Sequence, residues 1–423
     1  MISIQRLIHK FPRPLISLPS ILIVIYLLLV RSLRWKRYNY IQRTYGSKYR
    51  TRTLSLEDAQ AIIAIGSQYE LPAILEYSVA FALFKTYAIP SISKILAGTK
   101  ELKSDEMVAK RYADVGVFVW LHVFYPLTFH AEQTGILIAT WVRCPINGYS
   151  PAKPGVNDPR ANLAIARVNW LHSHYPIKNE DHLYTLALFM FEPEKWSAKY
   201  GWRELAPIEK HASFMFWSEV GRRMGIKDIP ETAETFKEWV QEYEERAMYP
   251  AQTNCDVASF TLEELIHTLP EHFGMRSLAR ILAIAMLEDN VREAMMLPPP
   301  PRYIKLILHY TLKSSPSIFA GLIEPDLPDS ILRGETKPLM RPKYFTSKPW
   351  YKPQSESFIG RTWDALMVQM GKYEDIPSEK WRSEGYRLDT IGPVKYENAG
   401  QDKVFSTAEE LQGCPISAVW KAK

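Results

Sequence analysis

The residues best equipped for chemistry lie in Ala166-Arg167-Val-Asn169-Trp-Leu-His172-Ser-His174-Tyr175. A helical period puts Ile165, Val168 and His172 on one apolar stripe, with Asn169 one turn before the histidine. An imidazole facing a core needs a partner. It is either a core histidine bonded to a neighbour, or an axial ligand to a metal or haem iron whose second nitrogen is oriented by an acceptor. His174 points to another face, so a regular helix cannot offer both histidines to one metal. Upstream, Lys110-Arg111-Tyr-Ala-Asp114-Val115 places Arg111 and Asp114 on one helical face. They make either a surface ion pair, worth under about 1 kcal/mol, or a buried guanidinium fork suited to a haem propionate or to polarising bound oxygen.

Other chemistries have weaker support. His-Glu-x-x-His is absent, and Glu264-Leu-Ile-His267 alone is half of what a carboxylate-bridged di-iron bundle requires. Glu288 to Glu293 is interrupted by Arg292 and reads as a solvated helix face rather than a magnesium site. No Gly-x-Ser-x-Gly, P-loop or dinucleotide fingerprint occurs. Cys144, Cys255 and Cys414 fit no zinc ribbon, no haem-attaching motif and no disulfide framework.

The elements that must hold these residues are helices. Ser55-Leu-Glu-Asp58 reads as an N-cap followed by acidic first-turn residues. Apolar residues then recur at three- and four-residue spacing over 72–88, 105–121, 161–175, 181–191, 207–224, 230–246, 261–268 and 275–296. Arg222-Arg223-Met-Gly225 marks a helix end, and Pro230 suits a first turn. No alternating strand pattern competes, so the expected class is all-α. Between Val123 and Gly155 the rhythm stops, and residues 124–154 read as an inserted loop or as intron sequence carried into the chain. Four prolines at 298–301 close the helical region, and a segment rich in Pro and Lys over 325–354 is expected to wrap the surface.

Taken in order, Lys110-Arg111-Tyr-x-Asp114, Arg167-x-Asn169-x-x-His172, Asn179-Glu-Asp181-x-Leu-Tyr184 through Phe191-Glu192-Pro193, Tyr200-Gly-Trp202-Arg203, Trp217-x-Glu219-Val-Gly221 and Asn254-x-x-Val257-Ala carry a family resemblance. The chain resembles the MpaB-type oxygenases, relatives of the latex-clearing rubber oxygenases, over about residues 55–310. The resemblance implies an all-helical fold around a non-covalent haem b with dioxygen as co-substrate, cleaving a carbon-carbon double bond in an isoprenoid chain. For the fungal members it implies a farnesylated aromatic intermediate of meroterpenoid biosynthesis, of the mycophenolic acid type. It makes His172 the iron ligand, places Arg167 and Asn169 beside the cofactor, and assigns Arg111 to the haem and, with Asp114, to catalysis. The family's threonine four residues after that arginine is Val115 here, which removes a hydroxyl from the distal region. Two rivals are a non-haem di-iron oxidase using His267 and a non-catalytic membrane scaffold.

Leu15 to Val30 carries no charge, and Arg31-Ser-Leu-Arg34-Trp-Lys36-Arg37 follows with no small-x-small cleavage site. The expected layout is a lumenal 1–14, a transmembrane anchor over 15–34, a basic juxtamembrane 35–54, an oxygenase domain over 55–310 and a wrapping segment over 311–423. More cations follow the apolar run than precede it, which puts the body in the cytosol, and the resemblance implies that the membrane is that of the endoplasmic reticulum. Net charge is +6 without a dense basic block in the body, so a bilayer surface is the expected partner and nucleic acid is not, while the resemblance implies a prenylated aromatic small molecule as substrate.

Overall fold

The structure, a computed structural model, describes residues 18–99, 110, 136–149, 157–266, 274–319, 349–370, 375–416 and 420. Among them there is no strand, only an isolated bridge between Tyr149 and Asn157. The helices are α1 (Leu18–Leu33), α2 (Lys36–Arg50), α3 (Leu56–Ile65), α4 (Pro72–Thr86), α5 (Pro90–Thr99), α6 (Ile136–Arg143), α7 (Arg160–His172) and α8 (Asn179–Tyr200). They continue as α9 (Pro207–Arg223), α10 (Ala233–Ala247), α11 (Gln252–Ile266), α12 (Met275–Met286), α13 (Asp289–Ala294), α14 (Arg302–Phe319), α15 (Phe358–Gln369) and α16 (Gln401–Gln412).

Local chemistry sets several of these ends. Ser55 accepts from the Asp58 amide while Asp58 accepts from the Ser55 amide, a reciprocal capping box that starts α3. Thr232 caps α10, so that helix begins at Ala233, later than the expected Pro230. Helix α8 runs through Pro193, where local propensity would stop it. The continuation buries Trp196 and Tyr200, and tertiary packing outweighs the proline. The periodic stretch 275–296 is broken into α12 and α13, because Glu288 is extended and turns its carboxylate onto Lys85.

Helix α8 is the central element. It packs on α4, α9, α10 and α14, while α7 lies between α6 and α16. One large core joins α6 to α9 with Trp350, Tyr351, Trp381, Tyr386, Ile391 and Phe405 of the C-terminal region. A second core lies between α4, α8, α11, α12 and α14. The described residues of the C-terminal region thus contribute to this core, and residues 320–348, most of the segment expected to wrap the surface, lie outside the described residues.

The expected loop 124–154 is also corrected over its described part. Residues Ile136 to Trp141 form a helix buried on every side. Gln60 of α3 closes its end, donating to the carbonyls of Trp141 (2.9 Å) and Cys144 (2.6 Å) and accepting from the Ile146 amide (3.2 Å). A short helix surrounded by protein has no polar face, so it shows no amphipathic period to read. At the N-terminus α1 is described from Leu18 to Leu33, residues 15–17 of the expected anchor lie outside the described residues, and no single helix among the described residues is long and apolar enough to cross a membrane.

Candidate functional site

The connection between α7 and α8 is short, from Ser173 to Lys178, so the last turn of α7 and the first turn of α8 face each other. His172 ends α7, and His182 lies one turn into α8; their ring centroids are 5.2 Å apart with planes tilted by 38°. Both imidazoles line a cavity of about 240 Å³. Its other walls are largely apolar, with Leu83 of α4, Ile92 and Leu96 of α5, Leu137 and Trp141 of α6, Val168 and Leu171 of α7, Phe189 of α8, and Trp217 and Val220 of α9.

Polar atoms in this lining are few. Asp181 is buried, and its Oδ1 accepts from the Ser91 hydroxyl (2.7 Å) and the Tyr243 hydroxyl (2.5 Å). Its Oδ2 and the Trp141 Nε1 are buried without a hydrogen-bond partner among the described residues. Buried polar atoms in that state are exceptions, and on a cavity wall they ask for a ligand group. Burial pushes the Tyr243 hydroxyl well above its ordinary range, and the adjacent Asp181 carboxylate adds to this. Burial holds His182 below its usual value, with Asp181 opposing. The imidazole that sits beside His172 is therefore neutral near pH 7, the form in which a ring nitrogen can ligate or accept.

The expected site residues separate. His172 faces the cavity, and His174 is exposed on another face, bonded to the Trp170 carbonyl (2.8 Å). Arg167 and Asn169, expected beside the cofactor, are not among the lining residues. Arg167 is fully buried and donates to the carbonyls of Ile391 (2.7 Å), Tyr396 (2.8 Å) and Ala399 (2.9 Å), with its guanidinium over Trp170. Asn169 donates to the Arg223 carbonyl (2.8 Å). Both hold other segments onto α7, the helix that carries His172. Arg111 and Asp114 lie outside the described residues, as does His267. Their neighbour Lys110 is described: it lines the cavity, is buried, donates to the Gly392 carbonyl (2.6 Å) and pairs with Glu397 (3.1 Å).

Asp181, His182 and Trp141 are lining residues to which sequence reasoning gave no site role, although Asp181 stands in the family motif. The short α7–α8 connection was the available signal for the first two. Asn254, quoted in the family motif, proves structural: its side chain accepts from Ser93 (2.6 Å) and donates to the carbonyls of Ala88, Tyr249 and Ala294. Cys144 lies apart, buried, its thiol pushed up to about 12 by desolvation. No group of three or more metal-binding side chains occurs among the described residues.

A haem b would ask of this site an imidazole, apolar walls and few competing polar atoms. His172 at an apolar cavity, with a neutral second imidazole beside it, fits that demand.

Comparison with known proteins places the chain among oxygenases. Residues 156–310 match the family described as ER-bound oxygenase mpaB/B′/Rubber oxygenase, catalytic domain, a span that contains His172, Asp181 and His182. The chain is 27% identical over 419 residues to the ER-bound oxygenase mpaB′ of Penicillium brevicompactum, covering 92% of this chain and 90% of that one. It is 31% identical to the ER-bound oxygenase mpaB of Penicillium roqueforti, covering 65% of this chain and 88% of the relative. To the mpaB of Penicillium brevicompactum it is 30% identical, covering 57% and 59%.

Proposed function

The chain belongs to the family of ER-bound mpaB-type and rubber oxygenases and is itself an oxygenase, and from that premise we propose that it is a haem-dependent, membrane-tethered enzyme that cleaves a double bond in the prenyl side chain of an aromatic substrate. The observation that carries this reading is the His172 imidazole presented to an apolar cavity beside His182. When bound, haem b supplies the activation of dioxygen.

The chain's own residues would do the rest. His172 would hold the iron, and the neutral His182 would fill the space beside it without adding charge. The apolar walls from α4, α5, α6 and α9 suit a prenyl chain and the porphyrin face alike, and exclude water from both. Asp181 Oδ2 and Trp141 Nε1 would receive the polar part of the substrate, an acceptor for a phenolic hydroxyl and a donor for a carbonyl. Arg111 and Asp114 remain proposed as the distal catalytic pair on the strength of the resemblance. Relatives named ER-bound support an endoplasmic-reticulum membrane location for this chain, with α1 as the single-pass anchor and the body in the cytosol. Anchoring at a bilayer raises the local concentration of a prenylated substrate, which partitions there.

The test is turnover of a farnesylated phenol under isotopically labelled dioxygen, read by mass spectrometry. The reading expects a shortened carbonyl product carrying the label, absent with the His172→Ala protein. Intact substrate recovered from haem-loaded wild type would overturn it.

A further inference from the structure

Helix α14 is apolar on two faces. Ile304, Leu308 and Leu312 turn into the core with α8 and α12. On the other side Tyr303, Leu306, Ile307 and Tyr310 recur at i, i+3, i+4 and i+7 and are 62%, 59%, 57% and 68% exposed. That spacing gives a continuous stripe with a tyrosine at each end. Single exposed apolar residues are ordinary, whereas a contiguous stripe marks a contact surface.

The neighbour of this helix identifies the contact. Helix α1 packs against α14 and itself leaves Val24, Ile25 and Leu28 exposed. Where α1 ends, the Arg34 guanidinium stacks 5.0 Å from the Trp202 ring and Trp35 meets Trp202 edge-on at 5.1 Å. Trp, Tyr and Arg in such a layer are what a membrane-water interface collects.

We propose that α14 is a second membrane contact, lying in the plane of the bilayer interface beside α1 with Tyr303, Leu306 and Ile307 at the boundary between headgroups and acyl chains. The occupant is phospholipid, because the stripe adjoins the helix read as the anchor. Two attachments, one along the bilayer normal and one in its plane, hold the body in a single orientation where a lone anchor would let it swivel. The inference rests on the reading of α1 as a membrane anchor.

The experiment uses the full chain in phosphatidylcholine vesicles, with Cys255→Ser and Cys414→Ser as background. An environment-sensitive fluorophore is attached in turn to Leu306→Cys, to Leu28→Cys in the anchor and to Glu238→Cys on exposed α10. The expected result is a blue shift at 306 and 28, quenched at 306 by lipids with a nitroxide high on the acyl chain, and aqueous emission at 238. Aqueous emission at 306 with a lipid signal at 28 would overturn the α14 contact and leave the anchor standing. Aqueous emission at both would remove the anchor reading and this inference with it. A shift at 306 that nitroxide lipid does not quench, and that grows with protein density, would assign the stripe to a second copy of the chain and overturn the lipid assignment.

Discussion

His182 and Asp181 carry most of what the cavity can do besides ligation. Burial lowers the His182 pKa from its ordinary 6.5. A histidine titrating lower in the folded state binds fewer protons there than in the unfolded chain, so its contribution raises stability with pH and is complete above about 6.5. Acidifying from about pH 7 to about pH 5 should therefore destabilise the protein, and His182→Phe should flatten part of that slope in denaturant titrations. His211, lowered by burial and by Arg52, accounts for another part. An unchanged slope in the variant would refute this use of His182. For Asp181→Asn, the Oδ1 contacts survive in kind while the unpartnered Oδ2 is replaced by an amide donor. The expected outcome is a KM raised about tenfold, with kcat less affected, since one hydrogen bond to a polar substrate group is lost. At this scale the sequence placed His172 on an apolar helical stripe, and in the structure it lines a cavity with largely apolar walls. It could not mark Asp181 or Trp141, because an acidic residue in a first turn and a tryptophan in an apolar run have ordinary structural explanations, and only the folded contacts show which of their atoms lack a partner.

Among the elements, α7 decides where His172 sits, and Arg167 decides where the C-terminal segment meets α7. Three carbonyls depend on one planar fork. Two glycines on that segment allow the close approach: at Gly392 (φ +128°) an added Cβ would lie 2.8 Å from Leu171, and at Gly400 (φ +81°) 2.0 Å from Trp170. Replacing Arg167 with Ala or Lys should destabilise by about 3 kcal/mol or more in urea unfolding, because an ammonium cannot serve three divergent acceptors. Wild-type stability in Arg167→Lys would contradict the clamp. The helices with one wet face, such as α9 and α10, were legible from their period to within a few residues. Helix α6 was not, since it is apolar all round, and neither was the α12–α13 break, which long-range pairing of Glu288 with Lys85 creates.

For the whole molecule, the consequence is that the region after 349 belongs to the oxygenase body. Trp381 and Ile391 are 1% exposed and Val404 is fully buried, all within the core that also holds α7 and α8. A chain ending at Phe319 should fail to fold, giving aggregated protein without a cooperative unfolding transition; a monomeric truncation with a sharp transition would contradict this. Little in the sequence warned of this, because the aromatic residues of that region are spaced by prolines and turns and carry no helical period. Helix α1 was visible as an apolar run, but the exposed stripe of α14 was not, since four residues on a helix that also has a buried face blur into general hydrophobicity.

The central claim is that His172 ligates a haem within this cavity, and visible absorption spectra of the full-length protein and of His172→Ala, each reconstituted with haemin, test it most directly. The account requires a Soret band in the wild type that is lost or shifted in a variant of unchanged helicity. Folded wild-type protein without a Soret band, or a variant whose spectrum matches the wild type, would contradict it.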